Sequence, residues 1–280
     1  RMFKLIVENE AGNRLDLTKN HDYTLIKVTG LLPPGTAINS QAEAGKDGER
    51  YNSSRVNKRN IVLTLHPEEP VEKNRNNLYQ YFPAKQNIRL YYKNDIRDVY
   101  IDGRVETIDG DFFSTKEQLQ ISILCPQPYF IGCGEDSGVL HFPMVVDLLE
   151  FPVSFPKEGI VFSELLPNER AIFENKGMTE SGAEFRFFFN GKSEGVKISD
   201  IRNGGYLGVK YDFRPWDNLY ISTVQGRKSI RLKRGLASHN LLNNRLPGSS
   251  WLPVKPGRNV FAVEAANYEM ELRWEECFEG

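Results

Sequence analysis

One stretch of this chain concentrates residues able to do chemistry. Gly48–Leu65, GERYNSSRVNKRNIVLTL, carries Arg50, Arg55, Lys58 and Arg59 against the single acid Glu49. Guanidinium groups at that density make bidentate contacts to phosphates and carboxylates. Nucleic acid, phosphate, a sugar, a neighbouring subunit and plain solvent are all possible partners for it. Elsewhere the motifs are thin. Cys125, Cys133 and Cys277, with His21, His66, His141 and His239, form neither a metal-ligand spacing nor a disulfide framework. Gly132–Gly138, GCGEDSG, lacks the Gly-Lys-Ser/Thr ending of a phosphate loop and reads as a linker. No zinc-protease helix or nucleophile elbow occurs. Spacing in the sequence cannot separate a glycosidase pair from the many surface acids, so a wall hydrolase has no motif behind it. Asn52-Ser53-Ser54 is formally a glycosylation acceptor, but without a secretion signal that reading is idle. The expectation is a protein with no catalytic residues, no cofactor and no metal.

Composition narrows the partners. The 280 residues suggest roughly two domains. Hydrophobic residues make up 40% and charged residues 26%, an ordinary globular balance. The 36 basic and 37 acidic side chains leave a net charge of -1, which argues against nucleic acid as a main partner. No window approaches the ~20 apolar residues of a membrane helix. The opening RMFKLIVENE has too short an apolar run for a secretory signal. The odd, sparse cysteine count leads to an expectation of folding in a reducing cytoplasm.

The elements that must position these residues are strands. Alternation places Phe3, Leu5 and Val7 on one face, then Ile88, Leu90 and Tyr92, then Leu119, Ile121 and Ile123. The second half repeats it with Leu207, Val209, Tyr211 and Phe213, and with Tyr268, Met270, Leu272 and Trp274. Asn190-Gly191, Gly204-Gly205, Pro247-Gly248 and Pro256-Gly257 separate the runs as turns. One segment, PVEKNRNNLYQYFP, predicts a helix over 71–82, with Val71, Leu78 and Phe82 at helical spacing. A Pro/Gly-rich stretch near 130–160 marks a boundary, giving an N-terminal domain 1–135, a linker 136–160 and a C-terminal domain 161–280. Trp216 and Trp251 fall in or beside loops of the second half, where they are candidates for a sugar or partner contact as well as for ordinary packing.

The stretch Val28–Leu65, followed by PVEKNRNNLYQYFPAKQNIRLYYKNDIRDVYIDGRVETIDGDFFSTKEQLQISILCPQPYF, resembles the N-terminal domain of the distal tail protein family of siphophages. The likeness runs over residues 25–130. It rests on the Tyr-Asn-Ser-Ser-Arg-Val arm, the Arg-Asp-Val-Tyr-Ile-Asp-Gly strand and the Cys-Pro-x-Pro-Tyr-Phe exit. FPVSFPKEGIVFSEL and GRKSIRL…SSWLPVKPGRNVFAV resemble the same family more loosely. The resemblance implies a mainly β chain of two β-sandwich domains. The N-terminal one has a single α-helix and an extended hairpin arm, and the C-terminal one is galectin-like. It implies a homohexameric ring at the virion tail tip, joining the tail tube protein to a tail-associated or fibre protein and docking receptor-binding or other baseplate proteins. It implies no enzyme activity, no nucleic acid and no membrane insertion. On this reading Arg50, Tyr51, Asn52, Arg55, Lys58 and Arg59 belong to the arm that meets the next subunit. A carbohydrate-binding module acting through Trp216 and Trp251 is the alternative.

Overall fold

The computed structural model describes residues 3–111, 117–133, 137–142, 145–147, 163–165 and 170–280. The chain divides into two units, Arg1–Asp136 with Cys277–Gly280, and Ser137–Glu276. Most of the stretch expected as a linker lies outside the described residues. Two details differ from the expected boundaries. A strand at Gly138–Phe142 belongs to the second unit, and the last residues of the chain return to the first.

In the first unit the strands are β1 (Lys4–Asn9), β2 (Arg14–Asp16), β3 (Tyr23–Thr29), β4 (Thr36–Ala42), β5 (Glu49–Val56), β6 (Arg59–Pro67), β7 (Asn87–Lys93), β8 (Asp98–Gly110), β9 (Leu119–Cys125) and β10 (Phe130–Gly132). One sheet runs β2-β1-β7-β8-β9-β6-β3; β10 joins it through β8 and pairs in turn with the chain's final strand, Cys277–Phe278. Period-two alternation sends Leu5, Val7, Ile61, Leu63, Leu65, Ile88, Leu90, Leu119, Ile121 and Ile123 into one core. Each such side chain contributes about 1.5–3 kcal/mol by leaving water.

The single α-helix among the described residues, α1, spans Val71–Tyr79 rather than 71–82. Its end tightens because the N–H groups of Gln80 and Tyr81 return to the carbonyls of Asn77 and Leu78. Phe82 therefore reaches the core from beyond the helix, beside Leu78. Asn74 is buried on the same face. Its amide donates to Glu68 O at 2.9 Å, and its carbonyl accepts the Tyr23 hydroxyl at 2.8 Å.

The second unit contains β11 (Gly138–Phe142), β12 (Val145–Asp147), β13 (Ser163–Leu165), β14 (Arg170–Asn175), β15 (Ala183–Phe189), β16 (Ser193–Asp200), β17 (Tyr206–Phe213), β18 (Asn218–Ser222), β19 (Ser229–Arg234), β20 (Ala237–Asn240), β21 (Gly257–Glu264) and β22 (Tyr268–Trp274). Two sheets, β11-β22-β15-β18-β19-β20 and β14-β21-β16-β17, share one apolar core, which is the arrangement of a β-sandwich. β12 and β13 pair only with each other. Phenylalanines dominate this core. Phe189 and Phe213 stack with centroids 4.4 Å apart, and Phe173 meets Phe261 edge-on at 5.3 Å.

Candidate functional site

Between β3 and β6 the chain leaves the main sheet. Pro33-Pro34-Gly35 ends the extension of β3, and the Asn57 N–H closes the base of the excursion on Gly35 O at 2.9 Å. Among the described residues β4 and β5 then pair only with each other, as a two-stranded ribbon. The turn at its tip uses Gly45 and Gly48, both at positive φ, and a Lys46–Glu43 ion pair. A ribbon of this kind buries too little to be rigid alone in water.

The register of the ribbon sorts its side chains. Asn39 faces Ser53 and Ser40 faces Tyr51, which leaves Asn52 as the extra residue of a bulge. Strict alternation would put Arg50 and Arg55 on opposite faces. The bulge gathers them with Asn39, Gln41 and Ser53 on one face. Ile38, Ser40, Tyr51 and Ser54 take the other, where the Tyr51 hydroxyl lies 2.9 Å from Ser54 Oγ. Ile38 is 68% exposed and Tyr51 61%. Among the described residues, Arg50, Arg55 and the neighbouring Lys58 form no ion pair. The arm thus offers a cationic face and a mixed face, on which Ile38 and Tyr51 stand beside Ser40, Ser54 and Glu49, both open to solvent.

Arg59 departs from the expectation. It is not on the arm: it is 2% exposed and reaches into its own unit. Its Nε donates to Pro128 O at 2.7 Å, and its Nη1 to Gly30 O at 2.6 Å and Leu32 O at 2.7 Å. Its Nη2 donates to Glu279 O, and the guanidinium lies 4.6 Å from the Phe130 ring centroid. The reason is parity. Arg59 shares the inward-facing positions of Ile61, Leu63 and Leu65 on β6. Burial pulls its pKa below the ordinary arginine value, yet the group stays charged at neutral pH. Gly30 makes the contact possible. Its φ is +85°, and a Cβ there would sit 2.1 Å from Asn60 O. Arg59 is therefore the socket of the arm, holding both its root and the end of the chain.

The two tryptophans are not brought together. Trp216 is 76% exposed and has a φ of +73°, unusual for a bulky residue. Its turn is pinned by the Trp216 N–H on Phe189 O at 2.8 Å and by buried Asp217, which accepts the Arg214 N–H at 2.9 Å. Arg234 grips the same carboxylate through Nε at 2.8 Å and Nη2 at 2.6 Å. Trp251 is half-buried, with Arg245 5.1 Å and Lys228 5.8 Å from its ring centroid. Trp216 precedes the start of β18, whereas Lys228 adjoins Ser229, which pairs with Ser222 at the end of β18. The five residues of β18 put about 16 Å between these positions. No shared platform forms.

Among the described residues, no group of three or more His, Cys, Asp and Glu side chains is placed to hold a metal ion. Burial pushes the Cys125 thiol up to about 12, far from a reactive thiolate. Cys133 donates to Asp98 Oδ1 at 3.0 Å. No described helix is long and apolar enough to cross a membrane.

Residues 176–278 match the family model of the siphovirus-type tail component, C-terminal domain. No curated protein matches the chain in sequence. Among solved structures, the Dit protein of phage SPP1 is similar, with a TM-score of 0.70 at 14% identity. That match covers 99% of this chain and 100% of the other, which is described as a paradigm of the hub adsorption apparatus in phages infecting Gram-positive bacteria. Chains of the phage P2 baseplate in its activated conformation are similar too. One, with Ca, has a TM-score of 0.57 at 11% identity and coverage of 99% and 98%; one, with Sr, has 0.54 at 12% identity and 98% of each chain. Matched by that family model over most of its second unit and by the Dit fold over nearly all its length, the chain resembles the distal tail protein family of siphophages, structural components of the virion's tail.

Proposed function

We propose that this chain is the structural hub of a phage tail tip, closing a homohexameric ring that links the tail tube to fibre and receptor-binding proteins. The observation that carries this reading is the β4–β5 ribbon, which pairs with no other strand among the described residues. A head-to-tail contact that repeats through a closing rotation makes a ring, and an extended arm is a direct means of reaching the next copy. The near-zero net charge of -1 also suits many copies packed together. The C-terminal sandwich, galectin-like on this reading, meets the baseplate proteins.

The arm makes the test. The double variant Arg50→Glu, Arg55→Glu is expected to keep the circular dichroism and melting temperature of the parent, because both side chains are exposed. It should lose ring assembly in native mass spectrometry and negative-stain imaging, carried out with the adjoining tail proteins present. Rings formed equally well by the variant, and by a chain with residues 37–55 replaced by a short turn, would defeat the arm reading.

A second reading rests on Trp216 alone, whose exposed indole sits on a strained turn held in place from behind. If the C-terminal unit binds host wall polysaccharide, Trp216→Ala should weaken calorimetric affinity about tenfold, the order of one aromatic contact. Trp251→Ala should leave it unchanged. Absence of heat with the parent protein disposes of the sugar reading.

A further inference from the structure

We infer that the arm of one copy seats in the groove along the free edge of β3 on the next copy. The inference rests on the ring reading above and names the surface that the arm would grip.

β3 is an end strand. One edge pairs with β6, and the other presents its backbone N–H and C=O groups to no strand among the described residues. A groove of about 530 Å³ runs beside it, lined by Phe3, Leu17, Tyr23, Leu25, Ile26 and Val28. Consecutive residues of β3 line it, so it follows the strand's edge rather than one face. Ile26 is the extra residue where the β3–β6 register shifts, and it is 47% exposed. Carboxylates stand at one end. Asp22 adjoins Tyr23, and Glu68 accepts the hydroxyl of Thr24, another lining residue. Neither acid forms an ion pair among the described residues.

The arm is the complement of this surface. It has free strand edges, two exposed apolar side chains on one face, and unpaired Arg50 and Arg55 on the other. Laid along β3, it would extend the sheet through main-chain hydrogen bonds. Ile38 and Tyr51 would fill the groove, and the long arginine stems would bring the cations to Asp22 and Glu68. The chain's own arm does not pair with β3, and Arg59 holds its root on the carbonyls of Gly30 and Leu32.

Disulfide trapping and charge exchange test the contact. The chain carrying Ile38→Cys and Ile26→Cys, oxidised after assembly with the adjoining tail proteins, is expected to give a ladder of covalent oligomers on a non-reducing gel. Each single variant should give none. Asp22→Lys with Glu68→Lys should lower ring yield at least tenfold, and adding Arg50→Glu and Arg55→Glu should restore it. Rings that form without the ladder, including with Val28→Cys as the acceptor, and without charge rescue overturn the groove while leaving the hub reading intact. A cross-link closed within a single copy also overturns it. Failure of the parent chain to assemble under any condition removes the hub reading and this inference together.

Discussion

Arg59→Ala is expected to lower the melting transition of the N-terminal unit by about 10 °C while leaving the C-terminal unit's transition where it was. The substitution removes donors from the carbonyls of Gly30, Leu32, Pro128 and Glu279 at once. A hydrogen bond to a charged group contributes about 1.5–3 kcal/mol, and acceptors left buried without partners add to the loss. These effects are not additive, and about 3–4 kcal/mol in total is a reasonable magnitude. For a unit of this size that amounts to roughly 3 °C per kcal/mol. Arg59→Lys should recover little, because an ammonium is a compact point charge that cannot span the guanidinium's fork of acceptors. Calorimetry follows both units. Tryptophan fluorescence follows the second alone, because Trp216, Trp251 and Trp274 all lie there. A shift in the fluorescence transition, or none in the calorimetric one, would show that Arg59 does not anchor the first unit. The same variant should impair ring assembly, because the arm's root loses its attachment.

Asp217→Ala carries the second large effect, on the other unit. Asp217 is buried, and its loss leaves the Arg214 N–H without its acceptor and the Arg234 guanidinium with the Asp212 carbonyl in place of a carboxylate. It also leaves the positive-φ turn at Trp216 unsupported. Breaking such a pair costs about 3 kcal/mol, toward the low end for buried pairs because Arg234 remains partly solvated. Acid exposes the same interaction. Burial by itself raises the Asp217 pKa, but the hydrogen bonds from Arg234 and from the Arg214 N–H, with the charges of both arginines, bring it below the ordinary carboxylate value. A depressed folded pKa means stability that is complete above the unfolded value of about 3.9 and is lost as pH falls through the folded one. The C-terminal unit's fluorescence-detected melting temperature should therefore fall as pH drops below about 4. Asp217→Asn should be less stable at pH 7 and should show a shallower acid limb. An unchanged acid limb in that variant would assign the acid sensitivity to other carboxylates.

Several features were legible along the chain. The inward sets Leu5/Val7, Leu119/Ile121/Ile123 and Met270/Leu272/Trp274 follow from alternation, because a pleated strand with one buried face has a period of two. The helix was visible from its spacing, although its end was not. Its last turn is set by hydrogen bonds from Gln80 and Tyr81, while Phe82 keeps its core position by packing. Arg59 shares the parity of Ile61, which the sequence carries, while the run of cations around it has the composition of a solvent-facing arm.

By itself, then, the sequence determined a mainly β chain, a helix beginning at residue 71 and a polar, arginine-rich excursion between two strands, because local periodicity and turn residues suffice for those. Only the tertiary structure decided which cations face solvent. A one-residue bulge at Asn52 rotates every side chain before it to the opposite face, so Arg50 joins Arg55 while Tyr51 joins Ile38. It also decided that Arg59 serves as an anchor, since its acceptors come from residues 30, 32, 128 and 279, which are far apart in the chain and meet only once the sheet has formed.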